Sequence, residues 1–334
     1  MNISLQELER SLELYNSCLN LSDKRANNTQ ELVLVKQPPE RQPTDIQCVC
    51  VAFGSFDPLT LGHTQLFLAA TETARQNSHQ TKDELLIVTS TNHIEKRTDF
   101  QKNAALYDRI ILQQPYAQQS GKTSLALTNV AYFYELAPLV KNRYPNANLF
   151  FITGVDVLEK IANPTYYASL DACTAALETV FQHTFLISKR ITSLDHPEPC
   201  LLDVPLVLNA RPILQKYQHN IIQLSIPQPQ GISFPLETMS STLIRNLRHQ
   251  GKPQRELEAF GTSNILDRYE LYTPKDVYEA TVWARQMFVQ SHRTKGTNPL
   301  EYVDSLERYL TLVFANTPLR THVIEYGRAG KSVF

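Results

Sequence analysis

Apolar residues in the middle of this chain fall into short unbroken runs, separated by longer stretches in which they recur every three or four positions. Cys48 to Phe53 (CVCVAF) is the first clear run, and its lack of alternation predicts a strand buried on both faces. Leu66, Phe67, Ala70 and Ala74 follow at helical spacing, which predicts a helix with one face on the core. The pattern repeats, with strands expected near 46–53, 84–89, 149–153, 184–188 and 221–226. Strand, crossover and strand in that order imply right-handed βαβ units and an α/β fold, a Rossmann-like parallel sheet covered on both faces. Ligands of such sheets sit outside the carboxyl ends of the strands.

The flanks read differently. Ser4 and Glu7 have the capping-box spacing, and Leu5, Leu8, Leu12, Leu14 and Tyr15 outline one amphipathic helix. Asp23 to Asp45 is polar and proline-bearing, as a linker would be. Past residue 250 the spacing is helical: Thr273 and Pro274 would open a helix through about Gln290, and Leu300 to Phe314 a second. The expected organisation is an N-terminal helix and linker (1–45), a central domain (46–250) and a mainly helical extension (251–334).

Composition narrows the function classes. Lys plus Arg number 32 and Asp plus Glu 33, a formal net charge of −1 over 334 residues, so no basic excess points to nucleic acid. No apolar run approaches twenty residues, and the opening MNISLQELER lacks a signal-peptide pattern, so a cytoplasmic protein without a membrane span is expected. Five cysteines without CxxC spacing argue against a disulfide framework or a zinc site. Cys48 and Cys50, two apart on a strand, should face the same side as packing residues. A homo-oligomer stays open.

The chemistry concentrates between the first strand and the first helix. Gly54 to His63 reads GSFDPLTLGH, placing a glycine turn, an acid, a hydroxyl and an imidazole where backbone N–H groups and a helix dipole attract phosphate. Far downstream, Met239 to Arg245 reads MSSTLIR. Ser240 or Ser241 can cap a helix there, the amides of Ser241 and Thr242 can face an anion, and Arg245 can fork two phosphate oxygens. Between them, Leu149 to Asp156 reads LFFITGVD, an apolar strand running into Gly154 and Asp156. An acid at that place can accept hydrogen bonds from ribose hydroxyls or a base.

The first two blocks resemble the GxFDPxHxGH and SSTxxR motifs of the nucleotidyltransferase superfamily, with Thr60 in the place of the first histidine, a variant familiar among phosphopantetheine adenylyltransferases. The continuous stretch GVDVLEKIANPTYY resembles a segment of nicotinamide mononucleotide adenylyltransferase-like proteins. The resemblance implies a strand order of 3-2-1-4-5 and transfer of AMP from ATP to nicotinamide or nicotinate mononucleotide, with magnesium arriving on ATP. Its implied catalytic groups are His63, Thr60, Arg245 and Lys96. ATP would also meet Gly54, Ser55, Phe56, Gly62, Gly154, Asp156, Ser241 and Thr242. Asn92, Arg109, Tyr166 and Arg190 fall on the acceptor side. The partners implied are ATP and a small phosphorylated acceptor. Phosphopantetheine adenylyltransferase, cytidylyltransferase and a non-catalytic nucleotide-binding regulator are the alternatives. The usual PPHK pattern is absent from the loop that carries Asn92, His93, Lys96 and Arg97.

Overall fold

The computed structural model describes residues 17, 21, 24, 27–38, 42–80, 82–91, 106–191, 201–233, 235–268 and 272. The expected N-terminal helix and the helices expected over 273–290 and 300–314 lie outside the described residues.

Strands β1 (Leu32–Lys36), β2 (Cys48–Gly54), β3 (Asp83–Ser90), β4 (Thr123–Thr128), β5 (Asn148–Gly154), β6 (Thr184–Ser188) and β9 (Ile221–Leu224) form one sheet, in the order β1-β4-β3-β2-β5-β6-β9. The six strands from β2 onward pair in parallel, and β1 joins β4 antiparallel at the edge. Two short strands, β7 (Arg190–Ile191) and β8 (Leu201–Leu202), pair separately.

Leu32–Lys36 lies in the stretch expected to be linker, yet it is the antiparallel edge strand. The strand TSLALT of β4 was not expected at all. All six of its residues are buried, and two of its three hydroxyls are paired: Ser120 donates to Thr123 at 2.5 Å and Thr128 to the Glu31 carbonyl at 2.6 Å. Hydroxyl residues at positions 123, 124 and 128 shorten the apolar run that signals a parallel strand to three residues, although β-branched threonine fits a pleated sheet. With β4 counted third, the parallel strands take the order 3-2-1-4-5 and continue with a sixth.

Strand β2 shows how the two cores divide. Val49 and Val51 join the cluster beneath helices α3 (Phe133–Arg143), α4 (Val155–Ile161) and α5 (Leu170–Val180). Cys48, Cys50 and Ala52 join the opposite cluster, with Phe67, Ala70 and Ala74 of α1 (Leu61–Ser78) and Ile110 of α2 (Leu106–Ser120). The alternation is the strand's own two-residue period, and it confirms Cys48 and Cys50 as packing residues on one side. The chain leaves β2 toward β3 on one flank and reaches β5 on the other. The crevice between the carboxyl ends of β2 and β5 is therefore the switch point where such sheets bind ligands.

Candidate active site

Helix α1 begins at the carboxyl end of β2, and its cap explains Thr60 and His63 together. Thr60 is the N-cap, its Oγ1 accepting from the His63 amide at 3.3 Å while its own amide donates to His63 Nδ1 at 3.1 Å. Accepting that amide requires a lone pair on Nδ1, so the neutral ring carries its proton on Nε2, a hydrogen-bond donor. The Thr60 hydroxyl also lies 2.8 Å from Nδ1. Thr60 is fully buried, and its amide and hydroxyl fix the orientation of the imidazole. Phe56, in the left-handed region at φ 44°, stands edge-on to the His63 ring at 5.4 Å and closes the ring's other side.

The second block docks directly on the first. Ser240 caps helix α7 (Ser241–His249), accepting from the Leu243 amide at 3.1 Å, and Ser241 donates to the Pro58 carbonyl at 2.8 Å. Gly62 makes the approach possible, because a Cβ there would stand 3.0 Å from Met239 Cβ and 3.3 Å from the Leu236 carbonyl oxygen. Two helix N-termini thus meet at one strand end. Each presents amides that lack a carbonyl partner within their own helix, which is the backbone chemistry of an anion site.

Asp57 ties this assembly together, and the sequence reading did not single it out. Its carboxylate is fully buried. Arg109 Nε lies 3.7 Å and Arg245 Nη1 3.9 Å from Asp57 Oδ2, and the Tyr272 hydroxyl donates to Oδ1. Arg245 also donates to the Asp57 carbonyl and to Thr242 Oγ1 at 3.1 Å, while Arg109 donates to Ser55 Oγ at 2.9 Å. Arg109, expected on the acceptor side, is therefore held against the loop over residues 54–63. Two guanidiniums against one carboxylate leave a net positive charge beside the loop, which suits a polyphosphate.

The segment after α7 folds back as a strap over the loop. Arg248 forks Glu258 at 2.6 and 2.8 Å and reaches Asp267 at 2.9 Å. Glu258 in turn bridges Thr60 in antiparallel fashion, and the Ala259 amide donates to the Leu59 carbonyl at 3.3 Å. Arg248 lies three residues past Arg245 in one helix, so the two point to the same side. That spacing was the available sequence signal for it.

On the other side of Gly54 and Ser55 lies a cavity of 330 Å³, lined by Tyr132, Tyr134, Tyr166, Tyr167, Asp156 and Lys160 among others. The rings of Tyr132 and Tyr134 stack at 5.2 Å, and each lies 6.1 Å from the Tyr167 ring. Tyr167 donates to the Ile161 carbonyl at 2.7 Å, and burial pushes its phenol well above the usual range, so it stays a donor. Gly154 serves as the N-cap of α4, and a Cβ there would collide with Asp156 Oδ1. Asp156 itself lies in the first turn and is not the cap. Asp156 and Tyr166, expected on opposite sides of the reaction, thus line one cavity. Asn92 and Lys96 lie outside the described residues, as does the side chain of Arg190.

Among the described residues no three His, Cys, Asp or Glu side chains gather as a metal site. No described helix is long and apolar enough to cross a membrane.

Known proteins are similar to this chain over part of its length. A Clostridium tetani (strain Massachusetts / E88) protein named as a probable nicotinate-nucleotide adenylyltransferase is 24% identical over 223 residues, covering 66% of this chain and 96% of its own length. Among solved structures, the Plasmodium falciparum nicotinic acid mononucleotide adenylyltransferase complexed with NaAD is 18% identical, covers 68% of this chain and 97% of its own, and has a TM-score of 0.44. The same enzyme complexed with APC gives a TM-score of 0.41 at 18% identity, covering 68% of this chain and 97% of its own. Residues 51–247, from within β2 into α7, match the family described as cytidylyltransferase-like. That span exceeds half of the chain and holds the GSFDPLTLGH loop, the GVD turn and the SST helix, so the chain belongs to the cytidylyltransferase-like family and is an enzyme of the nucleotidyltransferase type.

Proposed function

We propose that this enzyme transfers AMP from ATP to the phosphate of nicotinate or nicotinamide mononucleotide, releasing pyrophosphate. The observation that carries the reading is the shared position of Gly54 and Ser55. One side of that turn leads to the two helix N-termini with His63 and Arg245, and the other opens into the tyrosine-lined cavity. A polyphosphate on the first side and an aromatic base on the second would bring α-phosphate and acceptor phosphate together at the strand end. The name borne by the Clostridium relative supports the same acceptor.

The acceptor phosphate is already an anion, so attack on the α-phosphorus needs no strong base. Catalysis is then alignment and neutralisation of the charge that develops on the leaving oxygens. The Nε2–H of His63, held by the Thr60 cap, donates to an α- or β-phosphate oxygen. Arg245 and the amides of Ser241 and Thr242 take the β- and γ-phosphates. Magnesium would come bound to ATP phosphates and water, with the Asp57 carboxylate committed to the arginines and Tyr272, and would screen polyphosphate charge. In the cavity the tyrosine rings offer a stacking surface to a pyridine, and Asp156 can accept from ribose hydroxyls.

The spelling GSFDPLTLGH favours phosphopantetheine as a second acceptor. A pyrophosphate-release assay with ATP and each acceptor tests both. Release with the pyridine mononucleotides supports the reading, release with phosphopantetheine alone transfers the assignment, and none with any acceptor contradicts an adenylyltransferase.

A further inference from the structure

The cluster around Asp57 contains a residue that lies beyond the span matched by the family. Tyr272 is buried, and its hydroxyl donates to Asp57 Oδ1 from the far end of the strap. The other carboxylate oxygen stands 3.7 Å from Arg109 and 3.9 Å from Arg245. Both separations are longer than a hydrogen bond. A second buried arginine–carboxylate pair in the same region behaves differently. Arg248 closes on both oxygens of Glu258 at 2.6 and 2.8 Å, the fork such groups adopt when both oxygens are open to the guanidinium.

We propose that Tyr272 is a positioning residue for the phosphate site: by occupying Oδ1, it prevents Asp57 from closing a two-oxygen fork on Arg245 or Arg109 and so keeps the guanidiniums able to take phosphate. The inference rests on reading this side of the crevice as the ATP polyphosphate site. With the hydroxyl in place, Asp57 attracts both arginines and anchors them near the loop. Without it, Asp57 Oδ1 loses that donor, and the Arg109 and Arg245 guanidiniums already beside Oδ2 offer N–H groups in its place. An arginine drawn into that fork is lost to the ligand. Burial and then the Asp57 charge raise the Tyr272 phenol well above its ordinary range, so it remains a donor.

The test is calorimetric titration of a non-hydrolysable ATP analogue into wild-type protein and Tyr272→Phe, with KM measured for both substrates. Tyr272→Phe keeps the ring. It should weaken the analogue roughly tenfold, the scale of one lost hydrogen bond to a charged group, and leave the acceptor KM unchanged. Failure of the wild type to bind the analogue would overturn the ATP reading itself. Normal binding by Tyr272→Phe, or an equal rise in both KM values, would overturn the inference alone. If Tyr272→Phe does not fold, Asp57→Asn is compared with the double variant, since a neutral amide cannot form the fork. Equal analogue affinity in those two proteins supports the inference, and a further loss in the double variant overturns it.

Discussion

The two sides of the crevice at Gly54 and Ser55 are built by different physics. The phosphate side is made of backbone and charge: two helix N-termini pressed together at Gly62, a capped imidazole, and Arg109 and Arg245 gathered on buried Asp57. Each of those contacts admits few residue types, because each depends on a lone pair, a charge or the absence of a Cβ. The cavity side is a surface of rings, with Tyr132, Tyr134 and Tyr167 within 5.2 to 6.1 Å of one another. Stacking tolerates any flat ring of suitable size. One side therefore demands a spelled motif, and the other demands only aromatic character in the right places.

The comparison is broken most severely at the strap. Arg248→Ala would leave the Glu258 carboxylate buried without its partner, and loss of one member of a buried pair costs about 3–5 kcal/mol. Chemical denaturation should show that loss, and with it a weakened phosphate side, since Glu258 bridges Thr60. A cost below about 1 kcal/mol, the worth of an exposed pair, would mean the strap does not brace the loop.

His63→Ala removes the donor that the Thr60 cap orients. Turnover should drop by roughly 10²–10³ with folding retained, the scale for one preorganised group that stabilises transition-state charge. Near-normal kcat would remove His63 from the mechanism.

Two milder substitutions should separate the sides. Arg245→Lys keeps the charge but loses the fork, so KM for ATP rises while the acceptor KM holds. Tyr134→Ala should do the reverse, raising the acceptor KM by roughly tenfold, as expected for a lost stacking partner. Steady-state kinetics with each substrate varied in turn measures both. Movement of the same KM in both variants would merge the two sides into one.

The same difference decides what the sequence revealed. The parallel sheet and the phosphate loop are legible because their constraints are local: a buried strand is an unbroken apolar run, and the cap, glycine and SST residues follow at fixed spacing. Ser240 rather than Ser241 proves to be the cap. Strand β4 is hidden by its hydroxyl residues, of which Thr123 and Thr128 find their partners only in the folded chain. Strand β1 does carry an apolar run, LVLV, but one of four residues between polar and proline-bearing segments, and the linker composition around it masks it. The tyrosines come from the start of α3 and the segment after α4, and nothing in their spacing announces that they meet. Asp57 and Tyr272 are far apart in the chain, and only the fold reveals their pairing.

Incubation with ATP, magnesium and equal concentrations of nicotinate mononucleotide, nicotinamide mononucleotide and phosphopantetheine, followed by chromatography of the products, tests the central claim most directly. The account predicts that a pyridine dinucleotide dominates; dephospho-coenzyme A as the main product would contradict it.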